Sequence, residues 1–442
     1  MRRSAALVVA LALVVCFTVF TTPAAAGVGP LHSVIVVLRD DVDSDSVADE
    51  HSQRFGALVS HVYGAVLRGY AARVPERLVT MLQRDPRVAF VEEDRLLRAT
   101  DTIPRTGVDR IDGDQSQVAL SGGSVATGVA IIDTGISKHP ALNIKGGYNC
   151  AGFFFVNRNA WTDGNGHGTH VAGTVAATKM SDIVGVAPGA PLWAVRVLGS
   201  DGSGYLSWII CGINWVANNA ASKGIKVANM SLGGSGADDG NCGNTNNDSM
   251  HKAICSAVSK GVTFVVAAGN DNRDFSTFTP AAYNEVLTVT AMADFDGLPG
   301  GGWTTPTCGN VDDTAATFSN FTSTANAADV NHTIAAPGVC ITSTYLNNAY
   351  ATGSGTSFAS PHVAGTVALC LADRPGPTPG VLVRGPCFGK SPLEIRAKIR
   401  GDAADRSASD PAAESYYGFT NDPNKAPIPG RYYGYLVYAG GY

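Results

Sequence analysis

Val129-Ala130-Ile131-Ile132-Asp133-Thr134-Gly135 runs four apolar residues without alternation into a carboxylate, a hydroxyl and a glycine. An unbroken apolar run of this kind reads as a strand covered on both faces, which is the environment of a parallel sheet between helices. An Asp at the end of such a strand is largely desolvated, so its charge needs a partner. In open α/β sheets ligands bind beyond the carboxyl ends of the strands. Asp133 therefore marks both a strand end and a candidate site, although a turn-capping Asp would look the same in isolation.

The pattern repeats outward from this stretch. Strand-like runs at Gly128–Ile132, Leu192–Val197, Val227–Leu232, Val262–Ala268 and Val286–Ala291 alternate with helical patterns at His167–Thr178, Leu206–Ala221, Met250–Lys260 and Ser357–Ala372. Alternation of this type predicts an α/β, three-layer fold with a mostly parallel sheet flanked by helices.

Two further stretches carry chemistry. Gly166-His167-Gly168-Thr169-His170 opens a helix after Asp163-Gly164-Asn165, and Gly355-Thr356-Ser357-Phe358-Ala359-Ser360-Pro361 opens another. Nucleophilic acyl transfer needs a hydroxyl to attack, an imidazole to take its proton and a carboxylate to hold the imidazole. Asp133, His167 and Ser357 supply these in chain order Asp, His, Ser. Ser357 at a helix start would also offer a backbone N–H to a developing oxyanion. Ala359 stands where the Gly-x-Ser-x-Gly elbow of α/β-hydrolases has its second Gly, which disfavours that class. His170 reads as structural, Ser354 and Ser360 as bystanders, and Pro361 as a first-turn proline. The rival use of His167 and His170 as a zinc pair lacks a third ligand motif.

At these residues the chain resembles the subtilisin-like serine proteases (the subtilases), nearest their proteinase K-like branch. The resemblance implies Asp133, His167 and Ser357 as a catalytic triad and Asn270, in Ala267-Ala268-Gly269-Asn270, as the side-chain oxyanion donor. It implies that Gly202-Ser203-Gly204-Tyr205 and Ser231-Leu232-Gly233 pair with an extended substrate by strand addition. Ala267, Ala268 and Gly269 would wall the first specificity pocket. No acidic residue occurs in either wall segment, so apolar or aromatic residues are expected at the cleaved position.

The front of the chain is of different composition. Met1-Arg2-Arg3, an apolar run from Ala5 to Phe20 and Pro23-Ala24-Ala25-Ala26 read as a secretory signal peptide over residues 1–26, against a retained membrane anchor. Residues 27–99 carry strand- and helix-like stretches in the order β-α-β-β-α-β, compatible with a small α+β, ferredoxin-like domain. Its strand-like parts are Ser33–Leu38, a stretch from Val62 to Val74 broken by Gly64 and Gly69, and Val88–Glu92. Its helical parts are Ser44–Phe55 and Pro75–Leu82. In this position, with Val91-Glu92-Glu93-Asp94 near its end, it resembles a subtilase propeptide that templates folding and inhibits its own enzyme. Cleavage would fall between Arg98 and Thr102, leaving residues 100–442 as the peptidase domain. A permanent N-terminal domain is the alternative.

A formal charge of −5 and the absence of any Lys/Arg run leave no basic field for nucleic acid. Expected partners are protein or peptide substrates and the chain's own propeptide, in a secreted monomer with no membrane attachment after signal cleavage. Of nine cysteines, Cys16 leaves with the signal, and eight remain for disulfides. Proximity favours Cys242–Cys255 and Cys370–Cys387; the others stay open. Asp238–Met250, Gly297–Thr314, Arg374–Lys390 and Ser407–Pro429 read as inserted surface loops. Pro392–Arg400 reads as a late helix and Gly434–Ala439 as a closing strand.

The chemistry needs no cofactor. The resemblance implies structural calcium, yet Thr333 occupies the place where proteinase K-like enzymes often have a ligand Asp, and Asp163, Asp271 and Asp274 are the remaining carboxylate candidates. The metal residues are otherwise unknown. Two rivals are open: a catalytically inactive subtilase-fold binding protein, and a different hydrolase or a peptide ligase on the same scaffold, the ligase sharing the acyl-enzyme.

Overall fold

The computed structural model describes residues 31–39, 41–64, 68–93, 107–120, 125–152, 156–180, 183–375, 381–408 and 416–442. The expected signal peptide and the expected cleavage region lie outside the described residues. The chain divides into two compact units, Met1–Thr100 and Asp101–Tyr442.

The first unit runs β1 (Leu31–Leu38), α1 (Ser44–Phe55), β2 (Leu58–Tyr63), β3 (Gly69–Pro75), α2 (Glu76–Gln83) and β4 (Val88–Glu93). Its antiparallel sheet has the order β2-β3-β1-β4. In β1 the residues Val34, Val36 and Leu38 are buried and their neighbours are not, so one face is apolar. That face meets Val47 and Ala48 of α1 and Leu78 and Leu82 of α2. Asp43 caps α1 by accepting from Ser46 N at 2.9 Å, and Gly56 closes it in the left-handed region. The broken stretch from Val62 to Val74 falls on two antiparallel strands, β2 ending at Tyr63 and β3 beginning at Gly69.

The second unit contains β5 (Gly128–Asp133), β6 (Ile144–Asn149), α3 (His167–Ala176), β7 (Leu192–Arg196), α4 (Leu206–Lys223), β8 (Ile225–Met230), α5 (Ser249–Ser259), β9 (Thr263–Ala267), β10 (Leu287–Ala293), β11 (Thr314–Ala315), β12 (Thr333–Pro337), α6 (Thr356–Leu371) and α7 (Pro392–Arg406). The sheet order is β11-β10-β9-β8-β5-β7-β6, with β12 also on β10. Every pairing in it is parallel except the short β10–β11 ladder. All six residues of β5 are buried. Val129 and Ile131 point to one core with Val171, Val363, Val367 and Ile395. Ala130 and Ile132 point to another with Ile213, Val216, Ile254 and Phe264. Alternate side chains of one strand thus serve two layers of helices, each large aliphatic group contributing roughly 1.5–3 kcal/mol. That is the three-layer arrangement the apolar runs predict.

Several expectations need correction. The strands at Ile144–Asn149 and Thr333–Pro337 were not anticipated; the first contains two glycines and the second ends in proline, which weakens the apolar signal. Gly434–Ala439 is not a strand. Gly434 turns the chain at φ 86°, and the segment meets β12 through a single bridge, Ala335 to Leu436. The four inserted segments are not merely surface loops, since Asp239, Asp312, Asp313, Cys387, Tyr416, Phe419 and Asp422 turn inward. Arg110, 1% exposed, explains part of this burial: it donates to Tyr417 O at 2.9 Å and Gly418 O at 2.8 Å. Pro361 lies beyond the first turn of α6, as its sixth residue. A proline there cannot donate to the Ser357 carbonyl. The Ser231 hydroxyl does so instead, at 2.7 Å.

The disulfides are Cys150–Cys211, Cys242–Cys255, Cys308–Cys340 and Cys370–Cys387. The two pairs favoured by proximity are both present.

Candidate active site

The carboxyl end of β5 delivers Asp133, fully buried, to the start of α3. Its Oδ1 accepts from Thr134 N at 2.7 Å and faces His167 Nδ1 at 2.8 Å, with Oδ2 at 3.0 Å from the same nitrogen. An ionised carboxylate only accepts, so Nδ1 carries the proton and Nε2 keeps its lone pair. Gly168 permits this approach: a Cβ there would collide with the Gly135 carbonyl oxygen and lie 3.1 Å from Asp133 Oδ1. Burial pulls the His167 pKa down, but the charge and hydrogen bond of Asp133, with the charge of Asp163, leave it raised.

Asp163 holds the backbone around His167. Its Oδ1 accepts from Asn165 N at 2.8 Å and Gly166 N at 2.9 Å, and its Oδ2 from Thr169 N at 2.9 Å and Thr169 Oγ1 at 2.6 Å. Capping of α3 is therefore its role in this geometry. His170 Nε2 lies 3.0 Å from Ile341 O, and burial lowers the pKa of this ring to about 4. It is a neutral structural group.

Ser357 is the second residue of α6, partly exposed, with its hydroxyl donating to Ser231 O at 3.3 Å. Among the described residues no hydrogen bond joins Ser357 Oγ to the His167 ring. Catalytic hydrogen bonds are often loose without substrate, and Phe358, next in the chain, places its ring 5.5 Å from that of His167. Asn270 follows the turn after β9. Its Oδ1 accepts from Thr356 N at 2.8 Å and Thr356 Oγ1 at 2.9 Å. A backbone N–H can only donate, so the atom facing it is the amide oxygen, and Nδ2 is turned away from Thr356. Thr356 Oγ1 in turn accepts from Gly269 N at 3.0 Å. Thr356 and Thr134 were missed as positioning groups, because hydroxyls beside catalytic residues carry no separate sequence signal.

A cavity of about 460 Å³ beside His167 is lined by Gly202, Ser203, Gly204, Ser231, Leu232 and Gly233, together with Thr134, Asn165, Leu198 and Ile209. None of these is acidic. Ile209, within the helical pattern of Leu206–Ala221, carries no sequence signal of its own for the site. Tyr205 is 58% exposed against Trp208 and does not line the cavity. Ala267 and Ala268 are buried, and with Gly269 they too lie outside its lining.

For a metal, Asp271 pairs with Arg273 at 3.3 Å, and both oxygens of Asp274 take backbone N–H groups, from Ser276 and Ser323. Among the described residues, neither they nor Asp163 belong to a group of three or more ligand side chains whose ligand atoms converge within 4.8 Å. Thr333 Oγ1 donates to Asp329 O at 2.6 Å, a structural use. An all-oxygen group exists at Asp294, Asp296 and Asp312, whose ligand atoms lie within 4.8 Å of one another. Oxygen-only sets are what calcium takes.

Residues 125–420 match a family model described as "Subtilase family", and residues 33–100 match one described as "Peptidase inhibitor I9". The chain is 39% identical over 312 residues to "Subtilisin NAT" of Bacillus subtilis subsp. natto, covering 69% of this chain and 71% of that protein. It is 38% identical over 300 residues to "Alkaline elastase YaB" of Bacillus sp. (strain YaB), covering 67% of each. Among solved structures, that of a "cold adapted subtilisin-like serine proteinase" aligns with TM-score 0.50 and 27% identity, over 79% of this chain and 93% of that one.

Proposed function

The chain belongs to the subtilase family of serine endopeptidases and is made as a zymogen with an I9 inhibitor domain, and on that premise we propose the roles of its residues. Ser357 Oγ attacks the scissile carbonyl while His167 Nε2 takes its proton. Asp133 holds the ring in the Nδ1–H tautomer and stabilises the imidazolium that forms. Asn270 Nδ2 and the Ser357 backbone N–H, free in the first turn of α6, receive the oxyanion. The proton then passes to the leaving amine, and water repeats the sequence on the acyl-enzyme. The observation that carries this reading is the double contact of His167 Nδ1 with buried Asp133, with Ser357 tied through Ser231 to the cavity beside that ring.

Gly202, Ser203, Gly204, Tyr205 and Gly233 are exposed, Leu232 is partly so and Ser231 is buried; the two segments offer edges to an extended peptide. The cavity without acidic lining favours apolar or aromatic residues at the cleaved position. Ala267, Ala268 and Gly269 act by placing Asn270, and the facing wall falls to Leu198 and Ile209. Residues 27–99 are the propeptide, removed near Ala99, and the mature enzyme is a secreted monomer. Four disulfides fit an oxidising compartment. No helix among the described residues is long and apolar enough to cross a membrane. Calcium, a structural ion where subtilases bind it, would find its oxygen donors at Asp294, Asp296 and Asp312 and takes no part in the chemistry.

A serine-directed fluorophosphonate tests the assignment. Peptide mapping should place the label on Ser357, and labelling at another serine would contradict it. Cleavage-site profiling should show apolar preference; strong selection for Arg or Lys would overturn the pocket reading.

A further inference from the structure

The inserted segment Asp238–Met250 and His251 directly after it form a group that the catalytic roles do not use. Asp238, Asp239 and His251 bring one ligand atom each to within 4.8 Å of one another. His251 is fully buried, and its Nδ1 has no hydrogen-bond partner. That nitrogen faces Asp239 Oδ1 at 3.3 Å and Asp238 Oδ1 at 3.4 Å. Asp238 Oδ1 is also buried without a hydrogen-bond partner.

These separations are too long for charge-assisted hydrogen bonds, which lie at about 2.7–2.9 Å. They match the edge of a tetrahedron whose metal–ligand bonds are about 2.0–2.1 Å, which is about 3.3–3.4 Å. The surroundings are also built. Asp239 is fixed by four backbone donors, Asn241 N, Gly243 N, Thr245 N and Asn246 N, at 2.8 to 3.3 Å. The remaining oxygen of Asp238 is held by the Asn284 amide. The other ring nitrogen of His251, Nε2, lies 2.7 Å from Glu285 Oε2. A carboxylate on the far nitrogen is the usual partner of a metal-bound imidazole, since it orients the ring and sets the tautomer. The ring is further stacked on Tyr283 at 4.1 Å. Cys242 and Cys255 lie close by but are joined to each other and offer no thiolate.

We propose that Asp238, Asp239 and His251 form a binding site for a divalent transition metal of the zinc class. Two carboxylates balance the charge of the ion, and the imidazole nitrogen selects it over calcium, which takes oxygen donors. Asp238, 15% exposed, provides the way in. The site would tie the inserted loop to α5. Ala237, Asn246, Asn247 and Asp248 of this region line a cavity with Gly233 and Ile209, so the ion would brace the extended end of the substrate cleft.

The test uses the full chain carrying Ser357→Ala to prevent self-digestion, stripped with chelator and titrated calorimetrically with Zn²⁺, with Co²⁺ absorption as a second readout. One equivalent of Zn²⁺ should bind and raise Tm, and Asp238→Asn and His251→Gln should each weaken binding at least tenfold. Should His251→Gln fail to fold, Asp238→Asn decides, because its Asn284 contact can persist. Absence of stoichiometric Zn²⁺ binding, binding unchanged in Asp238→Asn, or binding of Ca²⁺ alone would overturn the proposal. Binding abolished by His167→Ala but not by Asp238→Asn would place the ion at the catalytic pair and overturn it equally.

Discussion

On the imidazole side of the site each polar group is tied to another: Asp133 to Thr134 and His167, Gly168 N to Thr134 Oγ1, and Asp163 to the backbone on both sides of the ring. On the hydroxyl side, by contrast, Ser357 Oγ makes one long bond to Ser231 O, and Asn270 keeps its amide N–H₂ turned away from its own anchor. The base is locked before substrate arrives, whereas the nucleophile and oxyanion donor keep capacity for bonds that form later. That division suits a catalyst, because donors already satisfied by the protein cannot strengthen toward a transition state. It also separates what substitutions should do: on one side they disturb a preset ring, on the other they delete a bond made only during reaction.

The largest effect should come from the hydroxyl itself. Ser357→Ala is expected to lower kcat by about a millionfold, the scale on which a subtilisin loses activity without its nucleophile, while KM changes little. Steady-state kinetics on a peptide amide checks this, and a loss below a hundredfold would break the comparison. On the locked side, Asp133→Asn should cost about ten-thousandfold by stabilising the wrong tautomer. It should also move the pH profile. The neutral imidazole is the active form, and its pKa is raised in the intact site. The acidic limb of kcat/KM should therefore lie above the ordinary imidazole value of about 6.5, with activity rising as pH rises through it. Removing the carboxylate charge should shift that limb downward.

Asn270→Ala should lower kcat about a hundred- to thousandfold, the range seen when a subtilisin loses its side-chain oxyanion donor, with KM nearly unchanged. An equal effect on KM would mean that Asn270 binds the ground state. The smallest effect should be that of Ser231→Ala. It leaves the Ser357 carbonyl without its donor, because Pro361 cannot replace it. A stability loss of about 1–3 kcal/mol is expected by chemical denaturation of the Ser357→Ala chain. An unchanged midpoint would show that solvent satisfies that carbonyl.

The comparison also marks how far the residues could be read in advance. The central strands were legible because an unbroken apolar run such as Val129–Ile132 has few other solutions. The triad was legible because each member sits in a distinctive small-residue frame. The supports were not. Thr134 and Thr356 act on groups 34 and 86 positions away in the sequence, and Asp163, only two to six positions from the groups it holds, carries no mark that separates a capping carboxylate from a metal ligand. The placement of Pro361 required knowing that Ser231 had taken over a helix carbonyl. The burial of Tyr416 and Phe419 followed from Arg110, about three hundred positions earlier, which no local pattern announces.

Intact-mass measurement of the wild-type chain beside Ser357→Ala tests the central claim most directly, namely that Ser357 is the nucleophile of an endopeptidase that processes itself. The wild type should lose an N-terminal segment ending near Ala99 and digest casein. The substituted chain should keep that segment, less the signal peptide, and leave casein intact. A Ser357→Ala chain that matures to the same mass and still digests casein would contradict it.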